Sequence, residues 1–136
     1  MSKLGFPIEA KIYFMKDYST ENNPVLKLTF DFALAVISYC ELLDEDKKFV
    51  ISRQLLKAGT SIGANSNEAQ HAESKADFIH KFKVAAKEMQ ETAYWLSLCK
   101  HSKNYPDCEH LIQRLNEIDR VINKIISTSK RNNSSS

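Results

Sequence analysis

Two glycines, Gly59 and Gly63, lie four residues apart inside a segment whose apolar periodicity predicts a long helix. A glycine in a helix interior costs roughly 1 kcal/mol relative to alanine, so the pair requires a compensating interaction. Residues at this spacing share one face, and missing side chains on that face let another helix approach closely. We therefore predict a tight packing contact at Gly59, Gly63 and Ser66, with the third helix as the partner. The pattern favours packing and assembly over a catalytic loop.

Apolar residues recur at three- and four-residue steps along most of the chain, which is typical of amphipathic helices. The pattern predicts four helices, at about 24–44, 47–71, 75–103 and 106–129. Pro24 and Pro106 suit first helical positions, and Ser74 with Asp77 has the form of a capping box. The connections are short, so successive helices should run antiparallel. The predicted fold class is all-α, an antiparallel up-down four-helix bundle.

A chain of 136 residues is long enough for one hydrophobic core. We expect a poorly defined N-terminal extension at 1–22, the bundle at 23–129 and a disordered polar tail at 130–136. No run of about 18 apolar residues is present, so no membrane span is expected. The three cysteines form no Cys-x-x-Cys pair. They indicate reduced thiols in a cytoplasmic protein.

Charge is unevenly distributed along the chain although the formal net charge is only +2. Residues 1–46 carry four Lys/Arg against eight Asp/Glu, whereas residues 47–103 carry ten against five. One interpretation is a solvated surface of mixed sign. The other is an asymmetry that orients subunits or attracts a polyanion.

The first predicted helix has two apolar stripes, although a bundle core needs only one. The second stripe consists of Leu26, Phe30, Ala33 and Ile37. We predict that this stripe forms the interface of a homo-oligomer. The alternative is that the N-terminal segment of the same chain folds over it.

Catalytic and metal-binding patterns are incomplete. Glu68 and His71 have the Glu-x-x-His spacing of di-iron bundles, but a second such motif is missing. Ser61 has no histidine spaced to activate it, and no phosphate-binding glycine loop is present. We expect no enzyme activity, no metal and no cofactor.

The third predicted helix carries Glu88, Glu91 and Trp95 beside its main core stripe. Partly buried carboxylates require hydrogen-bond donors. We predict a polar clamp between helices two and three, with partners from helix two. Those partners are Arg53, Gln54 and Asn65. A clamp that fixes helix register is favoured over a catalytic role.

A basic strip is predicted on the remaining face of the third helix. It consists of His80, Lys83, Lys87 and Lys100, with Tyr94 among them. Such a strip can contact nucleic-acid phosphates, although solvated lysines are equally common. Contacts of this kind are weak and independent of base sequence.

Two motif blocks together resemble the four-helix-bundle proteins encoded in 23S rRNA intervening sequences. The first block comprises Gln54-Leu55-Leu56, Gly59-Thr60-Ser61-Ile62-Gly63-Ala64-Asn65 and Glu68-Ala69. The second comprises Ser74-Lys75-Ala76-Asp77-Phe78, Ala85, Lys87-Glu88, Glu91-Thr92 and Tyr94-Trp95-Leu96. The resemblance covers roughly residues 24–127.

This resemblance implies an up-down bundle that assembles into a ring, typically a pentamer, without an established activity. A related branch, the accessory variability proteins of diversity-generating retroelements, binds nucleic acid and a reverse transcriptase. Two functions are therefore expected. The first is a non-enzymatic, oligomeric binding scaffold. The alternative is a basic-face RNA-binding protein that partners a reverse transcriptase.

Overall fold

A computed structural model describes the backbone of residues 15–134 and the side chains of residues 15–132. After a short 3-10 turn, Tyr18–Thr20, the chain forms four α-helices. They are α1 (Pro24–Glu45), α2 (Phe49–Ala69), α3 (Lys75–His101) and α4 (Glu109–Ser134). Each helix packs against the next, and α4 closes the bundle against α1. The described residues contain no strand, so the predicted all-α four-helix bundle is confirmed.

Local sequence signals set the first turns of α1 and α3. The Asn23 side chain accepts a hydrogen bond from the Val25 backbone N–H at 3.3 Å, and Pro24 occupies the first helical position. The Ser74 hydroxyl accepts from the Asp77 N–H at 3.0 Å. Asp77 in turn accepts from the backbone N–H of Glu73 at 3.4 Å, so the two side chains each pair with a backbone donor.

Two helix starts and the C-terminal end differ from the prediction for reasons that the structure shows. Helix α2 begins at Phe49 because Lys47 has a φ of 60°, which a right-handed helix cannot include. Helix α4 begins at Glu109, and the Pro106 carbonyl instead accepts a hydrogen bond from the Tyr39 hydroxyl at 2.7 Å.

The third difference is at the C-terminus, where residues 130–134 are helical and not the predicted disordered tail. Arg131 in the last turn interacts favourably with the negative end of the helix dipole.

The core consists of one stripe from each helix. Its largest fully buried side chains include Phe32, Tyr39, Leu55, Ile62, Phe82, Leu96, Leu111, Ile118 and Ile122. Two buried hydroxyl groups bond to their own helices: Thr29 donates to the Val25 carbonyl and Ser66 to the Ile62 carbonyl, both at 2.8 Å. The buried Ser52 hydroxyl of α2 donates instead to the Cys40 carbonyl of α1 at 3.2 Å. None of the helices in residues 15–134 is long and apolar enough to cross a membrane.

Candidate assembly and nucleic-acid surfaces

The two glycines of α2 face α1, not α3 as predicted. A Cβ atom built on Gly59 would lie 3.0 Å from both Val36 methyl groups. A Cβ on Gly63 would lie 3.2 Å from the Thr29 hydroxyl oxygen. These distances are shorter than ordinary van der Waals contact, so the absent side chains are what let α1 approach. The close contact itself lies where predicted along α2, and Ser66 is buried on the same side.

The second apolar stripe of α1 divides between the core and the outer surface. Leu26 is only 2% exposed and belongs to the core, so its assignment to an oligomer interface was wrong. Phe30 and Ala33 are half-buried, and Ile37 is 40% exposed. Leu34, which the sequence analysis did not include, is 49% exposed beside Ile37. The outer apolar face of α1 is therefore centred on Leu34 and Ile37.

The N-terminal extension covers the first turns of this face. The Tyr18 ring stacks on Phe30 with centroids 6.0 Å apart, and Lys27 Nζ donates to the Ser19 carbonyl at 2.9 Å. The alternative in which the N-terminal segment folds over α1 thus holds at Phe30. The remainder of the extension, residues 1–14, lies outside the described residues.

Helix α2 continues the exposed apolar surface. Phe49 is 47% exposed and Leu56 is 37% exposed. Phe49, Leu56 and Gly63 are spaced by seven residues, so they lie on one side of the helix, the side that faces α1. Sequence reasoning missed Phe49 and Leu56, although their seven-residue spacing from Gly63 was the signal that could have found them.

The predicted polar clamp between α2 and α3 does not form as proposed. Arg53 and Gln54 are exposed, and the Asn65 amide donates to the Ser61 carbonyl of its own helix at 2.9 Å. Glu91 accepts a hydrogen bond from Trp95 Nε1 at 3.3 Å, also within one helix. Polar side chains in mid-helix often bond to a carbonyl one turn earlier, and for Asn65 that local bond replaces the predicted contact with α3.

Glu88 lies half-buried on the side of α3 that faces α2. Burial is the main cause that raises the pKa of its carboxyl, and the Glu91 carboxylate raises that pKa further. Lys57 of α2 and Lys87 oppose this effect. The cation that α2 supplies is therefore Lys57, which the sequence analysis did not name. The carboxylate remains in an environment that disfavours its charged form.

The basic strip of α3 is shorter than predicted. His80, Lys83 and Lys87 are all exposed on the outer side of the helix. Lys100 lies instead beside α4, where its Nζ is 3.5 Å from a Glu109 carboxylate oxygen. Tyr94 is 60% exposed one to two turns beyond Lys87. The outer side of α3 thus has a basic first half and an aromatic second half.

The three cysteines cluster around Tyr39 at one end of the bundle. All of them are free and buried, and the Cys108 thiol donates to the Leu96 carbonyl at 3.6 Å. Burial raises the pKa of Cys40 to about 11 and also raises the pKa of Cys99 and Cys108. Protonated, buried thiols are poor nucleophiles, so this cluster is a packing feature.

Glu68 and His71, the residues considered for a metal site, are both exposed at the C-terminal end of α2. Glu68 pairs with Lys81 at 3.9 Å, and His71 is exposed. Among the side chains of residues 15–132, no group of three His, Cys, Asp or Glu has the geometry of a metal site.

These observations define a helical bundle whose distinctive surfaces are apolar and basic outer faces. The chain matches the family model of the 23S rRNA-intervening sequence protein over residues 21–126, and it therefore belongs to that family. It is also similar to a solved structure from Bacteroides thetaiotaomicron VPI-5482, a protein of unknown function from the S23 ribosomal protein family. The identity is 40%, the TM-score is 0.71, and the match covers 75% of this chain and 97% of that one. No curated protein matches the chain.

Proposed function

We propose that this protein is a non-enzymatic bundle that assembles with copies of itself and acts as an oligomeric binding scaffold. The observation that carries the proposal is the outer apolar face of α1, where Leu34 and Ile37 are 49% and 40% exposed. Phe49 and Leu56, on the side of α2 that faces α1, are also exposed. An apolar surface that spans two helices marks an interaction site in a soluble protein.

The proposed assembly is a closed homo-oligomer, and the number five comes from the family resemblance. We also propose that the protein is cytoplasmic, because three free thiols suit a reducing compartment. The non-enzymatic assignment is supported by the raised pKa values of the thiols and by the absence of a nucleophile–base pair in the sequence motifs.

The experiment that tests this proposal places a charge on the outer face of α1. Ile37→Glu should dissociate the assembly to single chains, because a carboxylate would lose its hydration in an apolar interface. The measurement is molar mass by light scattering coupled to size exclusion. Helix content by circular dichroism should stay at the parent level, because Ile37 lies outside the core.

The matched control is Gln113→Glu, which adds the same charge at an exposed position of α4. This variant should keep the mass of the parent. If Ile37→Glu kept the parent mass as well, the outer face of α1 would not be the interface.

A second candidate function is weak binding of RNA without sequence preference, with a reverse transcriptase as an accompanying partner. The observation that favours it is the exposure of His80, Lys83 and Lys87 on one outer face of α3. A ring would repeat this strip around an axis and raise the overall avidity. Contacts to phosphates release counterions, so the affinity should fall steeply with salt.

The test of RNA binding is a double variant, Lys83→Glu with Lys87→Glu, measured by RNA retention at low salt. Retention should be lost because both changes place negative charge on the strip. Lys100→Glu is the matched control, since Lys100 lies beside α4 and pairs with Glu109. Equal retention by the parent and the double variant would reject this function, as would a parent that is not retained.

A further inference from the structure

Exposed lysine and arginine side chains form two rows on neighbouring helices of this bundle. Lys83 and Lys87 belong to the basic strip of α3. Arg120, Lys124 and Arg131 are exposed on α4. These three are spaced by four and seven residues, so one side of α4 carries them all. We name them the α4 row.

Both rows point away from the core. Arg120 lies between the buried Ile118 and Ile122, two residues from each, and therefore on the opposite side of α4. Lys87 lies in the same way between Ala85 and Met89, which are buried in α3. The cations of both helices are thus on the outer surface.

The two rows lie at the same level along the bundle. The ion pair of Lys100 with Glu109, at 3.5 Å, fixes how α3 and α4 are aligned. Because these helices run antiparallel, thirteen residues back along α3 corresponds to thirteen residues forward along α4. Lys87 is therefore opposite the point on α4 that lies between Arg120 and Lys124.

The charges of the two rows are available to a partner. None of these lysines and arginines forms an ion pair with another side chain of residues 15–132, and Arg131 only donates to the Thr128 hydroxyl at 3.3 Å. The nearby carboxylates of α4 are Glu117 and Asp119, and Asp119 accepts from the Asn123 amide at 2.8 Å. Five full positive charges outweigh these two carboxylates, so the surface attracts an anion.

Short side chains separate the two rows. Ala93, Ser97 and Asn116 line the groove where α3 meets α4. Ala86 precedes Ala93 by seven residues and Asn123 follows Asn116 by seven, so both continue the same groove. The axes of packed helices are about 8–10 Å apart. The result is a flat face with a row of cations along each edge, which we name the α3–α4 face.

We infer that the α3–α4 face binds the backbone of double-stranded RNA, with one row of cations on the phosphates of each strand. This inference rests on the second candidate function and assigns its substrate class and the α4 half of its site. The minor groove of an A-form RNA helix is wide and shallow, so a flat face with charged edges can lie across it. The minor groove of B-form DNA is only about 6 Å wide, narrower than the spacing of the two helix axes.

The α3–α4 face lacks the aromatic side chains that bind single strands. Helix α4 contains no aromatic residue. In the first half of α3, Phe78 and Phe82 contact each other with ring centroids 5.0 Å apart and pack on the core. Tyr94 is exposed, but it lies beyond Lys87 and outside the two rows. Unpaired bases are bound by stacking on exposed aromatic rings, whereas duplex phosphates require only cations.

A double variant of the α4 row tests the inference. Arg120→Gln with Lys124→Gln removes two positive charges, and the affinity for an RNA duplex of about 16 base pairs is measured by fluorescence anisotropy over a series of salt concentrations. The slope of log affinity against log salt should become shallower by about two, one for each lost phosphate contact. The matched control is Lys47→Gln with Arg53→Gln, which removes the same two charges from exposed positions on the α1–α2 side. The control should keep the slope of the parent.

The substrate class is tested with two further probes, one strand of the same duplex and a DNA duplex of the same sequence. The parent protein should bind the RNA duplex several-fold more tightly than either probe at the same salt concentration. Equal or tighter binding of the single strand would overturn the inference, as would equal binding of the DNA duplex.

The inference and the candidate function can fail separately. A parent that binds RNA with a slope that the α4 double variant leaves unchanged would exclude the α4 row and leave the α3 strip as the candidate site. A parent that binds no RNA at low salt would reject both. Circular dichroism checks the fold, and Lys124→Gln with Arg131→Gln, for which the same change of slope is expected, replaces the first pair if that pair loses helix content.

Discussion

Helices α1 and α4 contribute equally clear stripes to the core but differ on their outer sides. Along α4 the outward positions are polar, with Gln113, Asn116 and Arg120 all exposed. Along α1 the corresponding side carries Leu34 and Ile37, both at least 40% exposed. A helix that packs only within its own bundle needs one apolar stripe, and α4 has one. Leu34 and Ile37 are therefore the side chains of α1 on which the proposed self-assembly rests.

The largest expected effect is on the free energy of unfolding, and it should differ between an isoleucine in the core and one on the outer face of α1. Ile122→Ala should lower the free energy of unfolding by about 2–5 kcal/mol, because it leaves a cavity at a fully buried position. Ile37→Ala should change it by no more than about 0.5 kcal/mol in dilute solution, as expected of a surface position. Its effect should grow with protein concentration, since only the assembly loses a contact.

Urea denaturation at two protein concentrations measures both effects. Losses of equal size for the two variants, independent of concentration, would mean that Ile37 belongs to the core of the bundle.

The next largest effect is a loss of stability at the inner side of α1, where α2 packs closely against it. Gly63→Leu should cost about 1–3 kcal/mol, because its side chain would overlap Thr29 and the Thr29 backbone carbonyl. Ala64→Leu is the matched control, since the neighbouring Ala64 is exposed. Thermal melting monitored by circular dichroism measures both. A Gly63→Leu variant that melts at or above the parent temperature would contradict the close-approach argument.

The smallest expected effect is on the melting temperature, and it concerns Glu88, a half-buried polar side chain between α2 and α3. The folded protein raises the pKa of Glu88, so folding costs free energy once the carboxyl is ionised. Glu88→Gln should therefore raise the melting temperature at neutral pH. The gain should shrink as the pH falls below the raised pKa and the parent carboxyl takes up its proton. A gain that is unchanged at acidic pH would exclude this cause.

Helical periodicity predicted the fold because each core stripe is recorded in one stretch of sequence. The predicted range 24–44 corresponds to Pro24–Glu45, and 75–103 corresponds to Lys75–His101. The capping signals at Asn23 and Ser74 located these starts. The bounds of both helices could be predicted because their start signals lie within one short segment of the sequence.

Other features depend on which helices become neighbours, and periodicity does not specify that. Gly59 and Gly63 were placed on a close-packed face correctly, but the neighbouring helix is α1. Lys100 follows Lys87 by 13 residues, about 3.6 turns, and this drift carries it from the outer side to the side of α4. Asn65 was expected to reach α3 but bonds to its own helix.

The molar mass of the unmodified protein at micromolar concentration tests the central claim most directly, namely that the outer face of α1 serves self-assembly. Light scattering or sedimentation velocity provides this mass without any substitution. We predict a multiple of the 15.6 kDa chain, with five copies expected from the family resemblance. A mass of one chain over the whole micromolar range would contradict the claim.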